Sequence, residues 1–187
     1  MKRKFITFLK SNKKKKFFII SGKNSYFKSN FDKFFKKHLK KIDKFIYFKK
    51  KYFPEIDELK NIIKKVKKFN PDILLAIGGG CALDYAKIAS VSSKTTKFSI
   101  KNFNKVKINK KIFLVTVPTT AGSGSEVTEG AVIYKDKIKH SLEHKFIIPD
   151  RYFLIPELVL ENSKKIKSNS GFDALSQSIE SILANKS

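Results

Sequence analysis

Short apolar runs alternate with longer segments of helical periodicity along most of this chain. Apolar runs of strand length occur at residues 16–21, 42–48, 73–77 and 112–117. Between them, residues 29–41 and 55–69 carry apolar side chains every three or four positions, a pattern typical of amphipathic helices. Strands that alternate with helices predict an α/β fold with a mostly parallel sheet.

The second half of the chain continues with less regular elements. The predicted elements are a lysine-rich loop (residues 94–111), a hairpin (131–134 and 139–142), a short strand (153–155) and two helices (156–160 and 171–183). The last helix has Leu175, Ile179 and Ile182 on one face. An apolar face of this kind is expected to pack against another part of a protein.

Three consecutive glycines separate the third strand from a helix. The apolar run 73–77 leads into Gly78, Gly79 and Gly80, and helical spacing of apolar residues follows at once. Glycines allow a sharp turn and leave space for a ligand against the backbone. The helix that starts there directs N–H groups and the positive end of its dipole at that space, which favours a phosphate. The alternative is a tight strand-to-helix connection without a ligand.

A second turn of small and polar residues follows the fourth strand. Residues 119–126, TTAGSGSE, come directly after the run 112–117 and Pro118. Open α/β sheets bind ligands at the carboxyl ends of their strands. The sequence therefore predicts a second ligand-facing turn beside the glycine turn.

Composition narrows the classes of function. At 187 residues and 41% apolar content the chain can bury one sizeable core. The formal net charge of +25 allows a nucleic-acid binder as an alternative. However, only Arg3 and Arg151 are arginines, and the lysines are spread over the whole chain. Arginine supplies the bidentate contacts that specific nucleic-acid recognition uses, so we expect no specific nucleic-acid partner.

The cysteine count and the length of the apolar runs indicate the cellular compartment of the protein. The single cysteine, Cys81, excludes an intrachain disulfide framework. No apolar run is long enough for a bilayer, and the apolar stretch near the start is too short for a signal peptide. These features predict a cytoplasmic protein without a membrane partner.

Three motifs occur in order along the chain: GGGCALDYAK at residues 78–87, PTTAGSGSEVT at 118–128 and GFDALSQSIE at 171–180. Together they resemble the motifs of the iron-containing (group III) alcohol dehydrogenases. Within that family the chain looks most similar to the phosphonoacetaldehyde reductases, at residues 22–26, 131–150 and 174–181. The resemblance implies a Rossmann-like dinucleotide-binding domain at residues 1–165. Residues 166–187 would begin an all-helical metal and catalytic domain.

The implied activity is hydride transfer between NAD(H) or NADP(H) and a small aldehyde, with phosphonoacetaldehyde as one candidate. No catalytic residue is assigned. The lysines at residues 49–51 follow the second strand, where NAD-binding relatives often carry an acid. They would suit a 2′-phosphate, and both cofactors stay open. The cofactor contacts implied by the resemblance are Gly78, Gly79, Gly80, Cys81, Ala82, Asp84, Thr119, Thr120, Gly122, Ser123, Ser125, Val132, Lys139 and Leu158.

The metal site departs from the family pattern. The family's helix motif supplies an Asp and, four residues later, a His as ligands of a divalent metal, iron or zinc. Here Asp173 is present, but Gln177 stands at the His position, and a neutral amide is a poor ligand beside imidazole. His38, His140 and His144 do not match the other ligand positions. We therefore do not expect this chain alone to hold a metal.

Two readings of the whole chain follow. The first is a dehydrogenase of this family that is inactive alone and is either a truncated gene product, a split gene product whose partner chain supplies the helical domain, or a partial sequence. The second is a nucleotide-binding module without catalysis that acts with a partner, and a homodimer is also open.

Cys81 stands where the family usually has serine, either as a tolerated small residue or as a thiol whose pKa the helix N-terminus lowers.

Overall fold

The structure, a computed structural model, describes residues 2–28, 30–38, 42–94, 99–105, 107–108 and 111–184. A five-stranded sheet in the order β2-β1-β3-β4-β7, parallel throughout, forms the centre. A separate antiparallel hairpin is formed by β5 and β6. The strands are β1 (Phe17–Gly22), β2 (Lys44–Lys49), β3 (Ile73–Gly78), β4 (Phe113–Pro118), β5 (Gly130–Lys135), β6 (Ile138–Glu143) and β7 (Arg151–Tyr152). The helices are α1 (Lys2–Ser11), α2 (Lys23–Lys28), α3 (Phe31–His38), α4 (Ile56–Phe69), α5 (Gly80–Ser92), α6 (Pro156–Leu160) and α7 (Lys164–Leu183).

Helices cover both faces of the sheet, because side chains of a strand point alternately to its two sides. On one face, Leu74 and Ala76 of β3 pack in a core with α4, α5 and the hairpin. On the other face, Ile73, Leu75 and Ile77 of the same strand pack in a core with α1, α3 and α6. All six residues of β3 are buried. The predicted α/β fold with a mostly parallel sheet is thereby confirmed, and this arrangement brings the ends of β3 and β4 side by side.

The observed elements differ from the sequence prediction in several places. The N-terminal helix α1 and the short helix α2 were not predicted, and the helix expected at 29–41 is α3, which begins at Phe31 after Asn30 with its φ of 52°. The short strand lies at Arg151–Tyr152 rather than at 153–155, where Phe153 and Ile155 instead pack in the core. The last helix begins at Lys164, seven residues early. A 3₁₀ turn at Phe103–Lys105 interrupts the expected loop. Residues 29, 39–41, 95–98, 106 and 109–110 of these predictions lie outside the described residues.

Helix α7 differs from every other long helix described, because none of its residues is buried. Its largest exposed apolar side chains are Phe172, Leu175, Ile179, Ile182 and Leu183. The helix starts at Ser163, whose hydroxyl accepts a hydrogen bond from the N–H of Ile166 at 3.4 Å. In the part of the chain that the structure describes, no helix is both long and apolar enough to cross a membrane.

Candidate nucleotide-binding site

The glycine turn requires glycine at its first position. Gly78 ends β3 with a φ of +156°, and a Cβ atom added there would lie 2.9 Å from the Cβ of Ala82. Gly79 follows as the N-cap of α5 and offers no side chain to cap it. The N–H groups of the first turn of a helix have no partner within the helix, so this turn presents donors and a positive dipole end at the carboxyl edge of the sheet.

The second turn lies directly against the first. A Cβ on Gly79 would lie 3.1 Å from Oγ1 of Thr120, and one on Gly80 would lie 3.4 Å from Oγ of Ser123. The N–H of Thr119 donates to the carbonyl of Gly78 at 2.9 Å. The structure thus brings together six residues that the sequence placed in two separate motifs. They form a concave surface of glycine backbone and small hydroxyl side chains.

Asp84 fastens the helix to the second turn and to the hairpin. Its Oδ1 accepts a hydrogen bond from Oγ of Ser125 at 3.1 Å, and its carboxyl also accepts one from the backbone N–H of Val132. Burial raises the pKa of the Asp84 carboxyl from 3.8 to about 6, although Lys87 and these hydrogen bonds oppose the shift. The side chain therefore fixes the geometry of the site rather than projecting from it.

A pH dependence follows from that raised pKa. Between about pH 4 and about pH 6 the folded protein holds a proton on Asp84 that the unfolded chain releases, so stability falls as the pH rises through this range. Asp84→Asn keeps an acceptor for Ser125 and removes the titration. We expect the free energy of unfolding of Asp84→Asn, relative to the wild type, to increase by about 2 kcal/mol from about pH 4 to about pH 7. Urea unfolding at several pH values measures this difference.

Asp136→Asn, in the exposed turn of the hairpin, is the matched control for the Asp84 measurement. Its stability relative to the wild type should change little over the same pH range. A difference for Asp84→Asn that is flat with pH would contradict the assigned environment of the carboxyl.

Lys87 has a role that the sequence analysis did not assign. This side chain is completely buried, and its Nζ donates to Oγ1 of Thr128 at 3.0 Å and to the carbonyl of Gly130 at 2.7 Å. Burial lowers the pKa of its amine to about 8, against the opposing effects of Asp84 and Glu126. The lysine therefore ties α5 to the segment between the second turn and the hairpin. The only indication of this role in the sequence was that Lys87 is the last residue of the motif at residues 78–87.

A buried carboxylate also escaped the sequence analysis. Glu58 of α4 accepts hydrogen bonds from the N–H groups of Lys50 and Lys51, at 2.6 and 3.0 Å. It accepts two more from the hydroxyls of Tyr47 and Tyr85, at 3.3 and 3.0 Å. These four donors hold the segment that follows β2 in place. That segment borders the glycine turn, because the Sγ of Cys81 lies 3.9 Å from the carbonyl of Lys51.

Lys49 lies beside this border. Its Nζ donates to the carbonyl of Lys51 at 2.7 Å, and its Cε lies 3.9 Å from where a Cβ on Gly22 would be. Burial raises the pKa of the Cys81 thiol to about 12, although Lys49 acts to lower it. The thiol is therefore protonated at neutral pH. This favours the reading of Cys81 as a small residue that fits the turn over the reading as a reactive thiol.

The remaining predicted cofactor contacts lie at different depths. Lys139 is exposed on β6, close enough to Asp84 to lower its pKa. Leu158 is 7% exposed and packs in the core on the α1 side of the sheet. Four residues after Leu158, Nδ2 of Asn162 donates to the carbonyl of Thr119 at 2.5 Å, a contact the sequence did not indicate. The segment between α6 and α7 is thereby attached to the second turn.

The predicted metal ligand lies near the same turn. A Cβ on Gly122 would lie 2.8 Å from the carbonyl oxygen of Ser170 and 3.0 Å from Oδ2 of Asp173, so α7 meets the second turn at this glycine. The exposed Asp173 accepts a hydrogen bond at Oδ1 from Nε2 of Gln177, at 2.9 Å. Over the described residues, no three His, Cys, Asp or Glu side chains lie together as a metal site. Nδ1 of His144 accepts from the N–H of Phe146 at 3.1 Å, which is a structural contact. The side chain of His38 lies outside the description.

Comparison with known proteins gives a consistent family. The family described as iron-containing alcohol dehydrogenase matches residues 3–156 of this chain. An alcohol dehydrogenase of Thermococcus barophilus is 36% identical over 135 residues, which are 68% of this chain and 36% of that protein. An NADPH-dependent butanol dehydrogenase of Clostridium saccharobutylicum is 31% identical over 137 residues, which are 70% of this chain and 35% of that protein.

Solved structures share the fold. The crystal structure of an iron-containing alcohol dehydrogenase from Thermotoga maritima matches with a TM-score of 0.82 and 27% identity, over 92% of this chain and 48% of that one. The chain therefore spans about a third of these curated relatives and about half of the solved structure.

Proposed function

Since this chain belongs to the iron-containing alcohol dehydrogenase family, we propose that it supplies the dinucleotide-binding half of an NAD(P)-dependent alcohol dehydrogenase or aldehyde reductase. The observation that carries the proposal is the packing of Gly79 and Gly80 against Thr120 and Ser123 at the N-terminus of α5. This surface has room for backbone-to-phosphate contact and donors to make it.

The residues present fit a dinucleotide. The N–H groups that begin α5 would hold the pyrophosphate over Gly79 and Gly80, and the hydroxyls of Thr120 and Ser123 would contact it from the second turn. Asp84 and Lys87 would keep the two turns in register without touching the ligand. When bound, the nicotinamide would supply or accept the hydride. Lys49, beside Gly22 and Cys81, would suit a 2′-phosphate, in keeping with the NADPH dependence named for the butanol dehydrogenase relative.

The described residues do not fit a metal ion, because Asp173 is bonded to Gln177 and has no further ligand near it. In this proposal residues 1–165 form the dinucleotide domain, and residues 166–187, which contain most of α7, begin a second, helical unit that carries the rest of the site. A small aldehyde would be the substrate, with phosphonoacetaldehyde resting on sequence resemblance alone, and the location would be cytoplasmic.

A binding measurement tests the proposal. We expect the polypeptide of residues 1–187 to bind NADH or NADPH with a dissociation constant in the micromolar range, that is about −8 kcal/mol. Because the chain contains no tryptophan, the fluorescence of the reduced nicotinamide can be followed directly, with calorimetry as a second method. No binding of either dinucleotide to the folded polypeptide would refute the proposal.

A second candidate function is nucleotide binding without catalysis. It is favoured by the hydrogen bond between Gln177 and Asp173, which occupies the one predicted metal ligand. We expect no aldehyde reduction by residues 1–187 with either reduced cofactor and added iron or zinc, and no rescue by Gln177→His. The oxidation of NADH and NADPH, followed by absorbance with several short aldehydes, measures this. Metal-dependent turnover that Asp173→Ala abolishes would contradict it.

A further inference from the structure

A cavity of about 830 Å³ lies at the opposite edge of the sheet from the glycine turn. Ile73 and Phe113, the first residues of β3 and β4, line it, whereas the glycine turn follows the last residue of β3. At about 3.3 Å per residue, the length of β3 separates the two places by about 16 Å. Helix α1 forms one side of the cavity and supplies Arg3, Lys4 and Phe8 among its lining residues.

Both arginines of the chain line this cavity. The other 39 of the 41 basic residues are lysines, yet Arg3 and Arg151 come from distant parts of the sequence to the same place. Lys4 and Lys15 line it too, and Asp72 is the single acidic residue among the lining residues. Four cations against one carboxylate give the cavity a strong preference for a multiply charged anion.

The acidic groups nearby are committed to other partners. Asp72 accepts a hydrogen bond from the N–H of Lys16 at 2.8 Å. Asp150, next to Arg151 in sequence, forms an ion pair with Lys111 at 2.8 Å. Within the described ranges, neither arginine forms a salt bridge. Their guanidinium groups therefore keep their donors available, and the planar fork of a guanidinium matches the oxygens of a phosphate.

Aromatic rings form the apolar part of the cavity. The rings of Phe8 and Phe113 stack with centroids 6.4 Å apart and planes 17° apart, and Phe153 lies 5.5 Å from Phe8. The guanidinium of Arg151 lies 6.0 Å from the centre of the Phe8 ring. Phe113 is 39% exposed, which is unusual for a phenylalanine at the start of a central strand. Phe8 and Phe153 are buried, so a ligand with a flat apolar body would cover the exposed ring of Phe113.

We propose that this cavity is a second binding site, separate from the nucleotide turn, for a small organic phosphate with an aromatic or otherwise apolar body. The phosphate lies between Arg3 and Arg151, and the body lies on the exposed ring of Phe113. The volume of the cavity is in the range of ordinary small-molecule sites. The assignment does not depend on the dehydrogenase function, because it uses none of the residues at the carboxyl edge of the sheet.

Phenyl phosphate is the probe that tests the site. We expect calorimetric titration of the polypeptide of residues 1–187 to show one binding event that is stronger than that of inorganic phosphate or phenol alone. Arg3→Gln with Arg151→Gln should weaken it at least about tenfold, because two charge-assisted contacts are lost. The double Arg→Lys variant should lie between, since it keeps the charge and loses the fork.

The matched control removes the same charge elsewhere. Lys64→Gln with Lys68→Gln changes two exposed residues of α4 and should alter the affinity for phenyl phosphate less than about twofold. Saturating NADH should leave phenyl phosphate bound. Equal weakening in both double variants would show attraction by net charge only, and displacement by NADH would show binding at the glycine turn; either result overturns the proposal. Circular dichroism verifies that the exposed arginine variants remain folded.

Discussion

Replacing Gly79 by valine is expected to weaken the binding of NADH and NADPH by at least about 100-fold, or about 2.7 kcal/mol. The backbone at Gly79, with a φ of −79° and a ψ of −177°, is one that valine adopts easily, so the variant should fold. Its Cβ, however, would lie 3.1 Å from Oγ1 of Thr120. The two γ-methyl groups of a stiff β-branched side chain would then fill the gap between the turns, where a pyrophosphate would approach the backbone.

Gly130→Val is the control for this substitution. Gly130 begins β5, and a Cβ added there meets no atom within 4 Å, so the same change in side chain adds no obstacle. The carbonyl that Lys87 contacts is retained. Titration of the wild type and both variants with each reduced dinucleotide decides the matter. A folded Gly79→Val protein with unchanged affinity would show that the ligand does not lie on this turn.

The second large effect is on stability. Glu58→Ala should lower the free energy of unfolding by about 3 kcal/mol, because hydrogen bonds to a buried charged group contribute about 1.5–3 kcal/mol each and are not additive. The alanine leaves the hydroxyl of Tyr47 and the N–H groups of Lys50 and Lys51 without their acceptor. It also removes the nearer of the two acceptors of the Tyr85 hydroxyl, the other being the carbonyl of Phe53. Glu58→Gln should also destabilise the protein. Its NH₂ group would face N–H and O–H groups that now donate hydrogen bonds to a carboxylate oxygen.

Urea unfolding measures both Glu58 variants beside Glu180→Gln, an exposed glutamate of α7. The control should stay within about 0.5 kcal/mol of the wild type, as surface substitutions usually do. If the free energy of unfolding of Glu58→Gln were as close to the wild type as that of the control, this would contradict the assignment of four hydrogen bonds to the Glu58 carboxylate. Loss of the Glu58 hydrogen bonds should also weaken nucleotide binding, because the segment after β2 that they hold in place positions Lys49.

The parts of the fold that follow from local pattern could be predicted from the sequence. The strand before Gly78 and the helix after it are fixed by an apolar run, by glycine conformation and by helical spacing, all within about twenty residues. Helix α1 was missed because its three buried apolar residues lie among lysines at a chain terminus. The start of α7 was missed because residues 164–170 have little apolar periodicity, and the hydroxyl of Ser163 was the only visible sign of the cap.

The support of the candidate site could be predicted less well than its surface. Clusters of glycines and small hydroxyl residues after a strand can be recognised in the sequence, so both turns were predicted at the carboxyl edge of the sheet. Glu58 and Lys87 are charged residues in helices of a strongly charged chain, where burial is the exception. Only the tertiary structure shows that these two lie among polar partners. The contact between Gly122 and Ser170 was equally invisible, because it joins segments that are 48 positions apart.

The strand order has a consequence for how the protein is made. β1 lies inside the sheet, β2 pairs with one of its edges, and β3, β4 and β7 are added in turn on the other side. Each strand therefore meets an edge that earlier residues have already formed, in the order in which a ribosome releases them. Parallel pairs need a crossover before they can close, so assembly should be slow, but it need not wait for the last strand. We expect nascent chains released after residue 118 to hold a four-stranded sheet that resists proteolysis.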